Sequence, residues 1–372
     1  MKILVISQHL FPIQTPRAHR TTELIKELAR KGHEITVYAV LGEYDYSAFE
    51  KRHNIRVKNI KISFQKHAYN SDGNGKRHFV DKVMGRLFGK ILEFPNIEFK
   101  YSIAKIIGKE KKYDLLISVA DPHHIHWGCA RAKIMHPKKF PSKWIADCGD
   151  PFMNNNLDRE HFKRFEKQER LFSDLCDFIT VPIEGAKEGY YEEFRKKIRV
   201  IPQGFNFNSI GKSDVSNKVV SFAYSGVFLS KMRDPYNFLK YLSEIKNDYR
   251  FYIFTPHLEL VNEFKDVLKE KMIIKKMVPR NELLVFLKDM DFLLNLENVN
   301  SSTQTPSKLI DYSIVGRPIL SINPENIDTS KINEFLNKDY SRQYVVDNVN
   351  QYHISNVVAS FIELSKSKLN EG

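Results

Sequence analysis

Cysteine is scarce in this chain. Cys129, Cys148 and Cys176 are the only three among 372 residues, too few and too widely spaced for a disulfide framework or a zinc cluster, which fits a reducing compartment. They read as small core residues. Glycine and proline are sparse too, at 16 and 15, which excludes collagen-like and low-complexity chains. Long apolar runs are missing: nowhere do about 18 apolar residues follow one another, the length a membrane-spanning helix needs. The opening Met1-Lys-Ile-Leu-Val-Ile-Ser7 turns polar after a short apolar run, so it lacks the apolar centre of a signal peptide. These absences predict a cytoplasmic chain that neither crosses a membrane nor is exported through one.

What is present is ordinary for a globular protein, with 42% hydrophobic and 28% charged residues. At roughly 100–200 residues per domain, the length predicts two domains. The net charge of +13 is unevenly placed: between Lys51 and Lys112, 16 Lys/Arg stand against 5 Asp/Glu, a net +11. A basic segment of this kind attracts an anionic surface, whether lipid, nucleic acid or a phosphorylated substrate.

Strand-like apolar runs alternate with helix-like runs, the pattern of parallel sheets with crossover helices. In the first half the runs are Lys2–Ser7, Glu34–Val40, Ile55–Ile62, Tyr113–Val119, Lys143–Asp147, Asp177–Val181 and Ile198–Ile201. Between them lie helices such as Arg17–Lys31, closed by Gly32, and the charged Asp158–Cys176, whose Glu166, Gln168 and Glu169 are read as facing water. The second half runs Val219–Tyr224, Arg250–Phe254, Met272–Lys276, Phe292–Asn295 and Pro318–Ile322. The polar stretch Gly204–Lys218 separates the two sets. The spacing thus predicts an α/β protein of two Rossmann-like parallel-sheet domains, over 1–203 and 204–345. A last amphipathic stretch, 346–372, either closes the second domain or returns to the first.

The richest stretch for chemistry runs from Asn295 to Pro318. A strand ends, a polar loop follows, and a helix opens with Thr305 as N-cap and Pro306 at the first helical position. The free amides and positive dipole end of such a helix bind phosphate oxygens. Ser307, Lys308 and Asp311 share one face, while Leu309, Ile310 and Ile314 turn toward the core. Phosphate at the amides and Lys308, with the Asp311 carboxylate one turn on for ribose hydroxyls, suits a nucleoside diphosphate. The same spacing also describes a capped surface helix with a Lys308–Asp311 pair.

Pro306-Ser-Lys-Leu-Ile-Asp-Tyr with Val315-Gly-Arg-Pro-Ile-Leu320 resembles the P-S-K-hydrophobic-x-E-Y and G-K-P-hydrophobic-L segment of retaining glycosyltransferases of the GT-B fold, the bacterial group 1, glycogen-synthase-like family. The resemblance continues in Lys2-Ile-Leu-Val-Ile-Ser with Pro16-Arg-Ala and Gly32-His-Glu-Ile-Thr-Val37. It continues again in Tyr113–His123, in Lys143–Phe152 and in Val200-Ile-Pro-Gln-Gly-Phe-Asn206. It spans about residues 1–322 in order. It implies two domains facing a central cleft, a nucleotide-sugar donor on the second, and no metal or other cofactor. The family's acidic pair falls on Thr303 and Asp311, so the first Glu is absent and the second is shortened. The family's paired glycines in the first loop are replaced by Gln14-Thr15-Pro16, for which Arg17 or Arg20 substitutes.

After Val219–Tyr224 comes Ser225-Gly226 and then Lys231 and Arg233, where the resemblance places a basic pair that clamps the donor diphosphate. Fixed cations stabilise the charge that develops as the anomeric bond breaks. Two basic residues in a loop are also commonly just solvated. His123, His124 and His126 follow a strand end, where such sheets bind ligands. No Cys or carboxylate completes a metal set by spacing, so His123 and His124 are candidates for a sugar contact, the remaining histidines being surface residues. Asp147 and Asp150 follow another strand; Asp150 is the better acid–base candidate, with capping or a turn as the alternative. The stretch His78–Leu92 sets Phe79, Val83, Leu87, Phe88 and Ile91 against Lys82, Arg86 and Lys90, an amphipathic basic helix suited to an anionic membrane surface or to packing on the first domain.

Together these features predict transfer of a sugar from a nucleotide-sugar donor, a UDP-sugar in the first place, to a hydroxyl of a lipid-linked or polysaccharide acceptor in envelope glycan synthesis. A non-hydrolysing UDP-sugar 2-epimerase is the alternative enzyme. A nucleic-acid-binding protein is a further alternative, which the absence of any recognised binding motif beside the basic segment weighs against.

Overall fold

Seven apolar runs of the first half pair in parallel in a computed structural model of the chain. They are β1 (Lys2–Ile6), β2 (Glu34–Ala39), β3 (Ile55–Asn59), β4 (Leu115–Val119), β5 (Lys143–Asp147), β6 (Phe178–Val181) and β7 (Ile198–Val200), in the order β3-β2-β1-β4-β5-β6-β7. Ile3 of β1 stands opposite Ile35 on one side and Leu115 on the other. β4 and β6 are buried at every residue, because helices cover both faces of a parallel sheet. The structure describes residues 1–13, 15–62, 93–154, 162–207, 215–230, 232–299 and 307–367.

The second set forms a separate sheet of β8 (Val220–Ser225), β9 (Tyr249–Phe254), β10 (Met272–Lys275), β11 (Phe292–Leu296) and β12 (Ile319–Ile322), ordered β10-β9-β8-β11-β12. Its core is aromatic: the Phe222 ring stacks between Phe251 and Phe292, at 4.6 and 4.5 Å between centroids. The chain divides into two compact units, Met1–Phe205 with Gln351–Gly372, and Asn206–Asn350. In the first sheet the strand order reverses between β1 and β4, and in the second between β8 and β11. Ligands of open α/β sheets bind beyond the carboxyl ends of strands at such reversals.

The helix Pro16–Arg30 begins where Thr15 Oγ1 accepts the Ala18 N–H and Pro16 occupies the first turn. It ends at Gly32, whose φ of +85° favours glycine. The helix Ile354–Lys366 belongs to the first unit. Its Val357, Val358 and Phe361 share a core with Leu24 and Ile25, and Ser355 Oγ donates to Glu27 Oε1 at 2.6 Å.

The charged helix is shorter than its sequence pattern: its described part is a 3₁₀ turn, Lys163–Phe165, followed by the α-helix Glu166–Leu175. Glu169 does not face water. It is 1% exposed and accepts the N–H groups of Phe152 at 2.7 Å and Met153 at 3.2 Å, a long-range demand that a local charge pattern does not reveal. Burial pushes its carboxyl up to about 6. Among the described residues no helix is long and apolar enough to cross a membrane. The stretch 78–92 lies outside the described residues.

Candidate functional site

The site in the second unit is built where β8 ends. Ser225 N–H donates to the buried Tyr312 hydroxyl at 2.9 Å, which ties the helix Ser307–Val315 to the strand end. Gly226 follows with φ +142°, a conformation that L side chains rarely adopt. The chain then turns back through Phe228, which stacks on Tyr224 at 4.2 Å, and Arg233, whose N–H donates to Leu229 O at 2.8 Å.

One turn before Tyr312, Lys308 reaches back over the sheet end. Its ammonium lies 4.5 Å above the centre of the Tyr224 ring. Lys308 Nζ and Arg233 Nε are both buried, and neither has a hydrogen-bond partner among the described residues. Burial, reinforced by the Arg233 charge, pushes Lys308 down to about 7. Burying an unpaired ammonium costs several kcal/mol. Two such cations side by side suit a multiply charged anion, and a diphosphate has the matching charge and donor demand.

Asp311 is on the same helix, but it does not pair with Lys308 as the surface-helix alternative required. Arg280, the first residue of the helix Arg280–Leu287, donates from Nε and Nη2 to Asp311 Oδ1 at 2.9 and 2.5 Å. Sequence reading missed Arg280, whose only signal was its place just past Pro279 after a strand. Thr303, Thr305, Pro306 and Lys231 lie outside the described residues, and of Ser307 only the place at the helix start is described.

In the first unit the basic residues of the first loop separate into two roles. Arg20 is 4% exposed and donates to both Asp147 oxygens at 2.6 Å, to Pro202 O at 2.6 Å and to Ile201 O at 3.2 Å. Thr180 completes the set with a 2.7 Å bond to Asp147 Oδ1. Arg20 and Asp147 therefore hold β5, β6 and the chain after β7 together, which corrects their reading as a phosphate ligand and an acid–base candidate. Arg17 is different: its guanidinium is 3.9 Å from Asp147 and 23% exposed. It lies over Gly149, where an added Cβ would stand 1.7 Å from Nη2.

Asp150 exposes its side chain, while its carbonyl accepts from His123 Nε2 at 2.8 Å and from the Tyr190 hydroxyl at 3.4 Å. His123, His124 and His126 are all buried, which corrects the expectation of surface histidines. The cause is an aromatic cluster: His124 packs on Trp127 at 4.0 Å, and His126 on Phe172 at 5.0 Å between ring centroids. Ligating atoms of His123, His126 and Cys148 lie within 4.8 Å of one another, a neighbourhood that spacing could not show. Both ring nitrogens of His126 are engaged, Nδ1 with Ser118 Oγ at 2.8 Å and Nε2 with Cys148 Sγ at 3.3 Å. Burial drives His126 well below its ordinary value and the Cys148 thiol well above it, so both are neutral.

No family model matches the chain, and no curated protein sequence does. Solved structures do match. A glycosyltransferase from Rickettsia africae is 14% identical with a TM-score of 0.63, over 100% of this chain and 99% of that one. A lipopolysaccharide outer core galactosyltransferase is 11% identical with a TM-score of 0.59, over 98% and 99%. A UDP-GlcNAc 2-epimerase from Neisseria meningitidis, solved with UDP-GlcNAc bound, is 14% identical with a TM-score of 0.56, over 98% and 99%. The chain thus has the two-Rossmann GT-B fold that glycosyltransferases share with these epimerases.

Proposed function

We propose that the protein is a glycosyltransferase that moves a sugar from a UDP-sugar to a hydroxyl of a lipid-linked or polysaccharide acceptor in cell-envelope glycan synthesis. The observation that carries the reading is that Lys308 Nζ and Arg233 Nε, near the end of β8, are buried with no hydrogen-bond partner among the described residues, beside the strand-order reversal. In this reading the Ser307–Lys308 helix start and Arg233 hold the diphosphate, and the resemblance assigns Lys231 and Thr303 to the same donor. Gly226 lets the backbone pass close to it, and Asp311 accepts the ribose hydroxyls.

The acceptor oxygen bonds to the anomeric carbon as the anomeric C–O bond breaks, and the bonding pair leaves with the diphosphate. Lys308 and Arg233 stabilise that growing charge. The acceptor proton passes to the Asp150 carboxylate or to the departing phosphate oxygen. In the first unit, Arg17 is proposed as a phosphate ligand, and His123 and His124 for a sugar contact. The stretch 78–92 would dock on an anionic membrane face, bringing the enzyme to a lipid-linked acceptor.

The test is a thermal-shift panel of nucleoside diphosphates followed by product analysis. Stabilisation follows RT ln(1 + [L]/Kd), so UDP should stand out. A transferase given UDP-sugar and acceptor releases UDP. The epimerase reading, which the likeness to the Neisseria enzyme favours, predicts an isomeric UDP-sugar and no free UDP.

A further inference from the structure

We propose that Arg280 is a positioning residue that fixes the Asp311 carboxylate for a ribose diol and so sets the site's preference for ribonucleotides, a role that rests on the nucleotide reading above. Arg280 and Asp311 are 31 residues apart in sequence and sit on different helices, yet Arg280 Nε and Nη2 converge on the single oxygen Oδ1. A planar fork usually grips both oxygens of a carboxylate side by side. Here both of these donors fall on one. The grip is partly shielded, with the side chains 27% and 17% exposed, so solvent screens it less than a surface pair.

Two consequences bear on a ribose. First, a carboxylate that accepts two hydroxyl protons must be held within about half an ångström of the productive geometry, and the guanidinium restrains the rotation of the Asp311 side chain. Second, Asp311 lies three residues beyond Lys308, where side chains on a helix are neighbours. A ribose at Asp311 and a diphosphate at Lys308 thus fall at neighbouring positions of one helix face, with Arg280 engaged by the carboxylate. Arg280 therefore acts through Asp311 and not as a ligand of the phosphates.

Calorimetric titration of UDP, 2′,3′-dideoxy-UDP and inorganic pyrophosphate into the full chain tests this in wild type, Arg280→Gln, Arg280→Lys, Asp311→Ala and the Arg280→Gln/Asp311→Ala double variant. Wild type should prefer UDP to the dideoxy analogue by about tenfold or more, as two hydrogen bonds to a charged group would give. Arg280→Gln should bring that ratio within about twofold of unity, leave the pyrophosphate Kd within about twofold of wild type, and add no further loss in the Asp311→Ala background. Arg280→Lys should restore part of the ratio, having the charge without the fork. An unchanged UDP-to-dideoxy ratio in Arg280→Gln overturns the inference, and so does an equal cost with and without Asp311. Loss of pyrophosphate binding in Arg280→Gln overturns it as well, because Arg280 would then act through the anion site or the fold. A wild type that binds pyrophosphate but does not distinguish UDP from its dideoxy analogue defeats the nucleotide reading itself, before any variant is compared.

Discussion

Lys308 holds its ammonium 4.5 Å above the Tyr224 ring, where burial, with the Arg233 charge added, disfavours its charged form. A lysine depressed from its ordinary value of 10.5 to about 7 contributes stability that is present above the unfolded value and is lost as pH falls toward the folded one. The ligand-free protein should therefore lose stability between alkaline and neutral pH. Lys308→Met removes that loss, stabilises the fold at neutral pH by on the order of 1–4 kcal/mol, the usual effect of replacing a buried charge with an apolar side chain, and so raises the thermal midpoint there. Calorimetric or circular-dichroism melts across that pH range check it; a lower midpoint in the variant contradicts it.

Anion binding should reverse the depression. Slightly above neutral pH the free amine is largely deprotonated, so diphosphate binding takes up a proton at Lys308. UDP titrations in two buffers of different ionisation enthalpy read that uptake directly. Equal apparent enthalpies in both buffers would mean that Lys308 does not change charge on binding.

The clamp should act on the chemical step. If Arg233 meets charge that grows on the leaving diphosphate, Arg233→Gln lowers kcat more than it raises KM for the donor, and the same holds for Lys231→Gln. Steady-state kinetics with a UDP-sugar separate the two effects. A wild-type kcat in both single variants and in the double variant would place the clamp elsewhere.

The two arginines of the first loop should behave oppositely. Arg20→Ala breaks a buried ion pair and should destabilise the protein by about 3–5 kcal/mol. Arg17→Ala should change stability by less than about 1 kcal/mol while lowering transferase activity. Gly149→Ala is a further probe of Arg17, because the new Cβ displaces only the far end of a flexible side chain. It should cost little stability and reproduce the activity loss of Arg17→Ala. Denaturant melts and activity assays on the three variants suffice; a strongly destabilised Arg17→Ala would make Arg17 part of the same buried network as Arg20.

Much of the fold was legible because each strand starts from a short apolar run, and the central strands are buried against helices. All twelve described strands coincide with such runs, with ends shifted by a few residues where hydrogen bonding stops before hydrophobicity does. The strand, loop and helix holding Lys308 and Asp311 were legible for the same reason, since Ser307–Val315 starts where a polar loop meets a 3.6-residue apolar period. What stayed hidden depends on contacts far apart in sequence. Arg280 reaches Asp311 across 31 residues, Arg20 reaches Asp147 across 127, and Glu169 bonds amides 17 and 16 residues before it. A charged residue looks the same in sequence whether it meets water or an orphaned amide, so Glu169 and Arg20 were misplaced. Cys148 beside His126 was invisible for the same reason.

The central claim is that the Lys308–Arg233 site binds the diphosphate of a nucleotide. Calorimetric titration of UDP into wild type and Lys308→Met at neutral pH tests it most directly, with circular dichroism to show that both are folded. Saturable one-to-one binding by wild type, weakened at least about tenfold in Lys308→Met, is the predicted result, since losing a charge-assisted contact costs about 1.5–3 kcal/mol. UDP bound equally well by the two proteins would contradict the account.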